Sequence, residues 1–383
     1  MNVNKVDYRF KLLYFFGIIF VIAGHCNNGG ISLFYDWFPV YSFHLGLFVF
    51  CSGYLYKECS DHGFWAYFTK KFNKLIVPLY LYNIIYGLIV SFLSFKGFTI
   101  GTGGNFIAKL LWLPITDGHQ FIYNMGGWFV IPLFMVQIFT VCFRKILHKF
   151  FAKFKFKEFI FFIVYLILGI LGVYIASKGY NTGLYLVLVR FLYFLPFMGL
   201  GLFYKTVVEK YDNLSNLKYF SIIFSIALVV IYIVGKFPTY TPSWCNNFVH
   251  GPFMPFIVGY LGIFFWLRIA KILSTVIGKS AFVNLVAEHT YSIMINQLMG
   301  FMLLKTFFAI INKLTGLCRN FDWKLYKNSI WYMYLPKELH HFRILYLVVG
   351  LLFPIGLSIL LNKIKNSCRN FKGLKLNFKG NDS

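Results

Sequence analysis

The chain is poor in charge and poorest in acids: only 12 of its 383 residues are Asp or Glu, and charged residues make up 13%. A soluble domain carries about a quarter charged residues, so a soluble enzyme is excluded. All twelve acids sit in loops or at the ends of apolar segments. A proton-coupled transporter usually needs a carboxylate within the membrane, and paired-carboxylate glycosidase chemistry needs two acids facing each other. Both readings lose ground on that absence. Cysteine motifs are missing too, since the seven Cys are an odd number and include no CxxC pair, which leaves no visible metal or redox motif. Cys26, Cys51 and Cys142 read as small packing residues in apolar segments. Cys245 and Cys318 fall in loops placed outside, where a bridge between them is an open alternative. Strand-like alternation over ten-residue segments is absent, which argues against an outer-membrane barrel. No internal repeat and no appended soluble domain is legible.

What is present is apolar bulk. Hydrophobic residues make up 59% and the mean hydropathy is +0.67. The apolar residues fall in blocks long enough to cross a bilayer, so the expected fold is all-α: a polytopic membrane protein of about ten transmembrane helices. The spans expected are Lys11–Gly24, Tyr41–Tyr56, Leu75–Phe95, Trp128–Phe143, Phe159–Ala176, Leu184–Tyr204, Tyr219–Val234, Phe253–Leu267, Thr290–Ile311 and Ile344–Leu361. Several are short for a perpendicular crossing, as expected of helices packed around a cavity or a locally thinned bilayer. The first resembles a signal peptide, but no small-residue cleavage site follows it, so it is kept as a span. The segment Phe106–Leu113 is too short to cross and is expected to lie at the outer interface or re-enter. The 49 Phe and 27 Tyr are taken as lipid-facing bulk.

The net charge of +25 would suggest nucleic acid in a soluble protein. Here the basic residues sit between apolar blocks, where they act as topology signals and contact anionic lipid, so no nucleic acid is expected. With the N-terminus placed inside, the inside segments carry 25 of the 37 Lys and Arg, and the short outside loops carry four. A further seven, from Lys305 to Arg343, are counted with the last outside stretch. That bias predicts both termini on the cytoplasmic side. Residues 1–362 form the membrane domain on this reading, and 363–383 a basic cytoplasmic tail without fixed structure. The longest outside loop, Asn320–His341, is either a lid or an interfacial segment. Its His340 and His341 lack identifiable co-ligands, so no metal site is expected.

Three membrane-level residues carry candidate chemistry. His25 ends the first span and His44 opens the second, both toward the outer side. A histidine suits the removal of a proton from a sugar hydroxyl, although a solvated interfacial role is the simpler reading of either ring. Arg190 lies within a span, where a charge is costly and usually functional. No acid in the membrane pairs with it, so a carbonyl cluster or an anionic ligand is required.

Several segments, in order, resemble the integral-membrane acyltransferase-3 family, and are closest to its fucose-acetylase-like branch. KLLYFFGIIFVIAGH (11–25), ending in a first-span His, is followed by YSFHLGLFVFCSGYL (41–55), similar to "FH…LF…SGYL". KKFNKLIVPLY (70–80) resembles the basic approach to the third span, GWFVIPLF (127–134) the "WFL…LF" span, RFLYFLPFMG (190–199) "R…FFPFFxxG", and TYSIMIN (290–296) the late "SYxIYLxH" element. The resemblance covers most of the chain. It implies a bundle of about ten spans around a central cavity. It also implies transfer of an acyl group, usually acetyl, from cytoplasmic acetyl-CoA to a hydroxyl of a cell-envelope glycan or lipid-linked oligosaccharide, at the bacterial inner membrane. His25 would be the base, with His44 as the alternative.

Two positions depart from the family pattern. The basic residue usually found eleven positions before the His is Tyr14 here, ~20° from His25 around the helix. Lys11 lies ~40° from His25 on nearly the same face, so Lys11 is the expected stand-in toward CoA phosphates, with Tyr14 and Arg190 as further donor-binding candidates. Asn296 stands where the late element often has His; it and Trp128 are the candidate acceptor contacts. Trp128 reads equally as an interface anchor or a cavity wall, and Gly53 and Gly199 read first as helix-packing positions. A flippase for a lipid-linked glycan, with Arg190 on pyrophosphate, and an inactive acyltransferase homologue are the alternatives that stand beside this reading.

Overall fold

The computed structural model describes residues 6–26, 38–57, 63–151 and 153–378. The acids Asp36, Glu58, Asp61 and Asp382 lie outside them, as do the last five residues of the expected tail. The described residues form helices and no strand: α1 Tyr8–His25, α2 His44–Tyr54, α3 Gly63–Lys71, α4 Val77–Phe95, α5 Phe106–Leu111, α6 Leu113–Thr116, α7 Val130–Phe151, α8 Lys157–Ser177, α9 Gly183–Thr206, α10 Asn216–Val234, α11 Met254–Leu273, α12 Ala281–Glu288, α13 Thr290–Thr315, α14 Trp323–Asn328 and α15 Arg343–Phe378. Nine helices among the described residues are long and apolar enough to cross a membrane. Each expected span falls on a helix. The second is the exception in length: α2 has only 11 residues, ~16 Å of helix against a hydrocarbon core of about 30 Å.

Local sequence sets several of the ends. The Asp7 side chain caps α1 by accepting from the Arg9 amide at 3.0 Å, satisfying an orphan donor of the first turn. Gly235 and Gly316 close α10 and α13 in the left-handed conformation, at φ 83° and 68°, which glycine adopts without steric cost. A π-helical turn, Phe72–Ile76, joins α3 to α4.

Burial separates centre from rim. In the most apolar stretch of α9, 83% of residues are buried, against 17% in α10. α9 lies between α2 and α8, while α1 touches α2, α11, α12, α13 and α15. The α2–α9 contact is made backbone to backbone. A Cβ at Gly53 would strike the Met198 carbonyl, and one at Gly201 the Phe50 carbonyl, so only glycine allows this approach. Gly199 likewise meets the Tyr165 side chain of α8.

The end of the bundle that carries the start of α1 is tied by ion pairs. Arg9 holds Asp7 at 2.6 Å and Glu209 at 2.7 Å, Arg144 holds Glu158 at 2.9 Å, and Arg268 pairs with Asp212.

Three sequence expectations change. Lys305, counted with the outside stretch, lies fully buried in α13, donating to the Ile330 carbonyl at 3.1 Å; its four-carbon stem hid it in an apolar run. The stretch after Lys363, expected without structure, continues α15 to Phe378. Cys142 is exposed rather than a packing residue, while Cys245 and Cys318 are free, so the bridge left open between them is not formed. The Cys245 Sγ donates to the Pro242 carbonyl at 3.1 Å, and burial pushes its thiol up to about 12. The segment from Phe106 leads through α5 and α6 into a loop, residues 117–129, irregular up to Asn124 and 3₁₀-helical over Met125–Phe129, most of which is buried.

Candidate active site

A cavity of about 770 Å³ opens beside the start of α1. Lys57, Lys70 and Lys74 at its lining are exposed and Lys71 half-buried. Positions 70, 71 and 74 share one helical face because they are one residue and one turn apart. Deeper lining residues are Tyr14 and Ile18 of α1, Phe48 and Ser52 of α2, Gln137 of α7, and Met294 of α13. Ser52 accepts a hydrogen bond from the Gln137 amide at 3.4 Å and donates to the Phe48 carbonyl at 2.9 Å. The cavity is therefore basic at its opening and mainly apolar below, with a few polar groups on its wall.

Lys11 is not among the lining residues. Its ammonium pairs with Glu288 at 2.6 Å, and that hydrogen bond holds the Glu288 carboxyl below its ordinary value. The helical-wheel argument places Lys11 near the face of His25, but an acid on α12, invisible to periodicity, takes its charge.

Beyond the cavity floor lies a buried polar region. Met294 is three residues from Gln297, ~4.5 Å of helical rise, and Phe48 is one turn from His44. His25, at the last position of α1, keeps a buried Nδ1 without a partner, and its ring stacks on Trp331 at 5.9 Å. Lys305 fixes the backbone just before that indole, at Ile330, so the loop after α13 folds back over His25. His44 is buried, and its Nδ1 lies 2.6 Å from the Val40 carbonyl. A carbonyl only accepts, so Nδ1 carries the hydrogen and Nε2 the lone pair. The Tyr41 hydroxyl donates to the Gly24 carbonyl at 2.7 Å and its ring meets His44 edge-on at 5.4 Å. His25 and His44 are within electrostatic range of each other.

Asn296 is committed elsewhere. Its Oδ1 accepts from the Tyr86 hydroxyl at 2.8 Å, and its Nδ2 donates to the Ser292 carbonyl at 2.9 Å, so it staples α13 to α4. Gln297, the next residue, is 1% exposed with an unpartnered Oε1 and sits by His25.

Arg190 is 1% exposed, and carbonyls fill its fork. Its Nη1 donates to the Asp117 carbonyl at 2.9 Å, and its Nε and Nη2 both donate to the Ser243 carbonyl. The guanidinium lies 4.7 Å from the centre of the Trp128 ring. Of the two partners the sequence left open, a carbonyl cluster or an anion, the fold supplies the carbonyls. Arg190 does not line the cavity. It ties the 117–129 loop to the loop after α10, with Trp128 beneath it.

The family with the acyltransferase domain (acyltransferase-3) matches residues 7–363. The chain belongs to this family. No curated protein and no solved structure matches it. An acyltransferase needs a place for an activated acyl donor and a base for the acceptor. In this acyltransferase the basic cavity and the two histidines lie at successive positions along α1 and α2. Among the described residues no group of three His, Cys, Asp or Glu is arranged to hold a metal.

Reasoning along the chain did not single out His119, Gln120, Asn124 or Gln297, all buried polar residues outside the cavity lining. The available signal was the polar run Asp117–Gln120 between two apolar segments. Nothing in it indicated burial, which the re-entry of the loop decides.

Proposed function

We propose that this acyltransferase moves an acetyl group from acetyl-CoA to a hydroxyl of a cell-envelope glycan, in the manner of the fucose-acetylase-like branch. On this reading it lies in the bacterial inner membrane with both termini cytoplasmic. Its partners are acetyl-CoA, a glycan or lipid-linked oligosaccharide, and the surrounding lipids; nucleic acid has no part. One observation carries the proposal: a lysine-rimmed cavity with apolar and aromatic walls that ends about two helical turns short of His25 on α1 and about one turn short of His44 on α2. Lys57, Lys70, Lys71 and Lys74 suit the phosphates of the donor, since ammonium groups bind phosphate by charge-assisted hydrogen bonds. Tyr14, Ser52 and Gln137 suit the amide-bearing thiol arm.

His25 would take the proton of the acceptor hydroxyl as that oxygen adds to the thioester carbon. The C–S bond then breaks, and His25 returns the proton to the departing sulfur, so the products are the ester and the free thiol. Asn296 is held by Tyr86 and Ser292, which leaves backbone N–H groups to receive the negative charge on the carbonyl oxygen.

The test is thiol release from acetyl-CoA by the purified protein, with and without envelope glycan from a strain lacking this chain. Glycan-dependent release with acetyl incorporation supports the reading. No release with either would remove it and favour a flippase or an inactive homologue. Lys70→Glu with Lys74→Glu is expected to raise the acetyl-CoA KM by about tenfold or more, the loss of one or two charged hydrogen bonds, with the glycan KM unchanged.

A further inference from the structure

The proposed transfer uses His25 and leaves a second histidine unexplained. His119 lies in the buried 117–129 loop and is 8% exposed. Irregular backbone at membrane depth occurs where it is buried in protein or lines a polar cavity. This loop is also conformationally constrained: Gly118 has φ 81° and Ile122, a β-branched residue, has φ 58°, a costly conformation that clusters at functional sites. The His119 Nδ1 lies 3.1 Å from Asp117 Oδ1. Burial alone would push the Asp117 carboxyl up, but the His119 hydrogen bond and the charge of Arg190 outweigh it and hold the acid below its ordinary value. An ionised Asp117 fixes the hydrogen on Nδ1 and turns the Nε2 lone pair outward. That Nε2 is buried and has no partner. His119 and His25 are within electrostatic range.

The ring is also held flat. Trp244 stacks on it at 4.2 Å and 12°, and Trp128 lies on it at 6.4 Å and 25°. Arg190 clamps the backbone of both loops that bear this stack, at Asp117 and at Ser243. Asp–His pairing with aromatic walls is more orientation than a packing residue needs. Two buried oxygens of the same loop, Gln120 Oε1 and Asn124 Oδ1, also lack a donor. The unmet groups of this loop are thus lone pairs, and they call for a ligand rich in O–H donors. Trp244, 45% exposed, stacks one indole face on His119, and an aromatic face is the surface against which the C–H side of a sugar ring packs.

We propose that His119 is an acceptor-binding and specificity-determining residue: its Nε2 takes a hydrogen bond from a sugar hydroxyl adjacent to the one that His25 deprotonates, so the site selects acceptors bearing two neighbouring hydroxyls. This rests on the reading above that the acceptor is a glycan. No atom is transferred to His119; it grips the sugar while His25 serves the reacting oxygen.

Initial rates of acetyl transfer from acetyl-CoA to envelope glycan of the deletion strain, in the purified full chain, test it. His119→Ala is expected to raise the glycan KM about tenfold, the loss of one buried hydrogen bond, while kcat and the acetyl-CoA KM stay within about twofold. His119→Gln, which keeps an acceptor oxygen, should recover part of the loss. Asp117→Asn, which frees the ring to take the opposite tautomer, should raise the glycan KM as well. An acceptor deoxygenated at the carbon next to the acetylated one should show the same KM with wild type and with His119→Ala. Unchanged glycan KM in His119→Ala, or equal rises in glycan and acetyl-CoA KM, would overturn the proposal while leaving the transferase reading intact. A wild-type protein that transfers no acetyl group would overturn both.

Discussion

Replacing Arg190 with leucine tests whether the half of the site that carries His119 depends on one cross-link. The side chain is 1% exposed and donates to the Asp117 and Ser243 carbonyls while covering Trp128. Leucine fills much of the volume but donates nothing. Each buried carbonyl stripped of its donor costs about 1–3 kcal/mol, and the lost cation–π contact about 0.5–2 kcal/mol. Arg190→Leu is therefore expected to lose about 2.5–8 kcal/mol locally. Arg190→Lys should recover only part, because an ammonium cannot reproduce the planar fork. The affected loops carry His119, Trp128 and Trp244, and the lysine-rimmed cavity lies toward the other end of α1. Thermal unfolding in detergent, read together with separate KM values for acetyl-CoA and glycan, should show lower stability and a raised glycan KM with the acetyl-CoA KM near wild type. If Arg190→Leu instead raises the acetyl-CoA KM alone, the guanidinium binds the donor and the carbonyl-clamp argument fails. Wild-type stability and turnover would show that neither role exists.

Other perturbations address different parts of the molecule. His25→Ala should lower turnover by ~10²–10⁴, and His44→Ala by less. The acidic limb of the pH–rate profile, where a base is lost by protonation, should vanish in the His25 variant; the opposite ranking would exchange the two roles. The Asp117 carboxyl, held below its ordinary value by His119 and Arg190 against the effect of burial, stabilises the fold fully above the usual carboxylate pKa of about 4. That contribution should be lost as pH falls through the lower folded value. Asp117→Asn should therefore flatten the acid limb of a melting-temperature profile, and an unchanged slope would deny the interaction. Reporter fusions at Ser383 and at Asn181 should report the cytoplasmic and the outer side respectively; the same side for both would mean a span count wrong by an odd number.

The periodicity and composition of the chain were enough to determine that it is a helical membrane protein and roughly where each helix runs. Burial of apolar side chains in lipid is a one-dimensional requirement, met segment by segment, and so it is written in the order of residues. The motif at His25 and the buried cation at Arg190 were legible for the same reason, since polar groups stand out against an apolar run. Partnerships were not. Lys11 stands on the face of His25 by helical geometry, but Glu288 on α12 claims its charge. Asn296 reads as an open amide until Tyr86 of α4 is beside it. Arg190 needed a partner, and whether carbonyls or an anion supplied it depended on two loops 53 and 73 residues away in the chain. His119 read as an ordinary loop residue because exposure is a property of where a loop goes, and only the tertiary structure folds this one inward. Hydrogen bonds and ion pairs require particular atoms to meet at about 3 Å, a condition that helix packing imposes and local sequence leaves open.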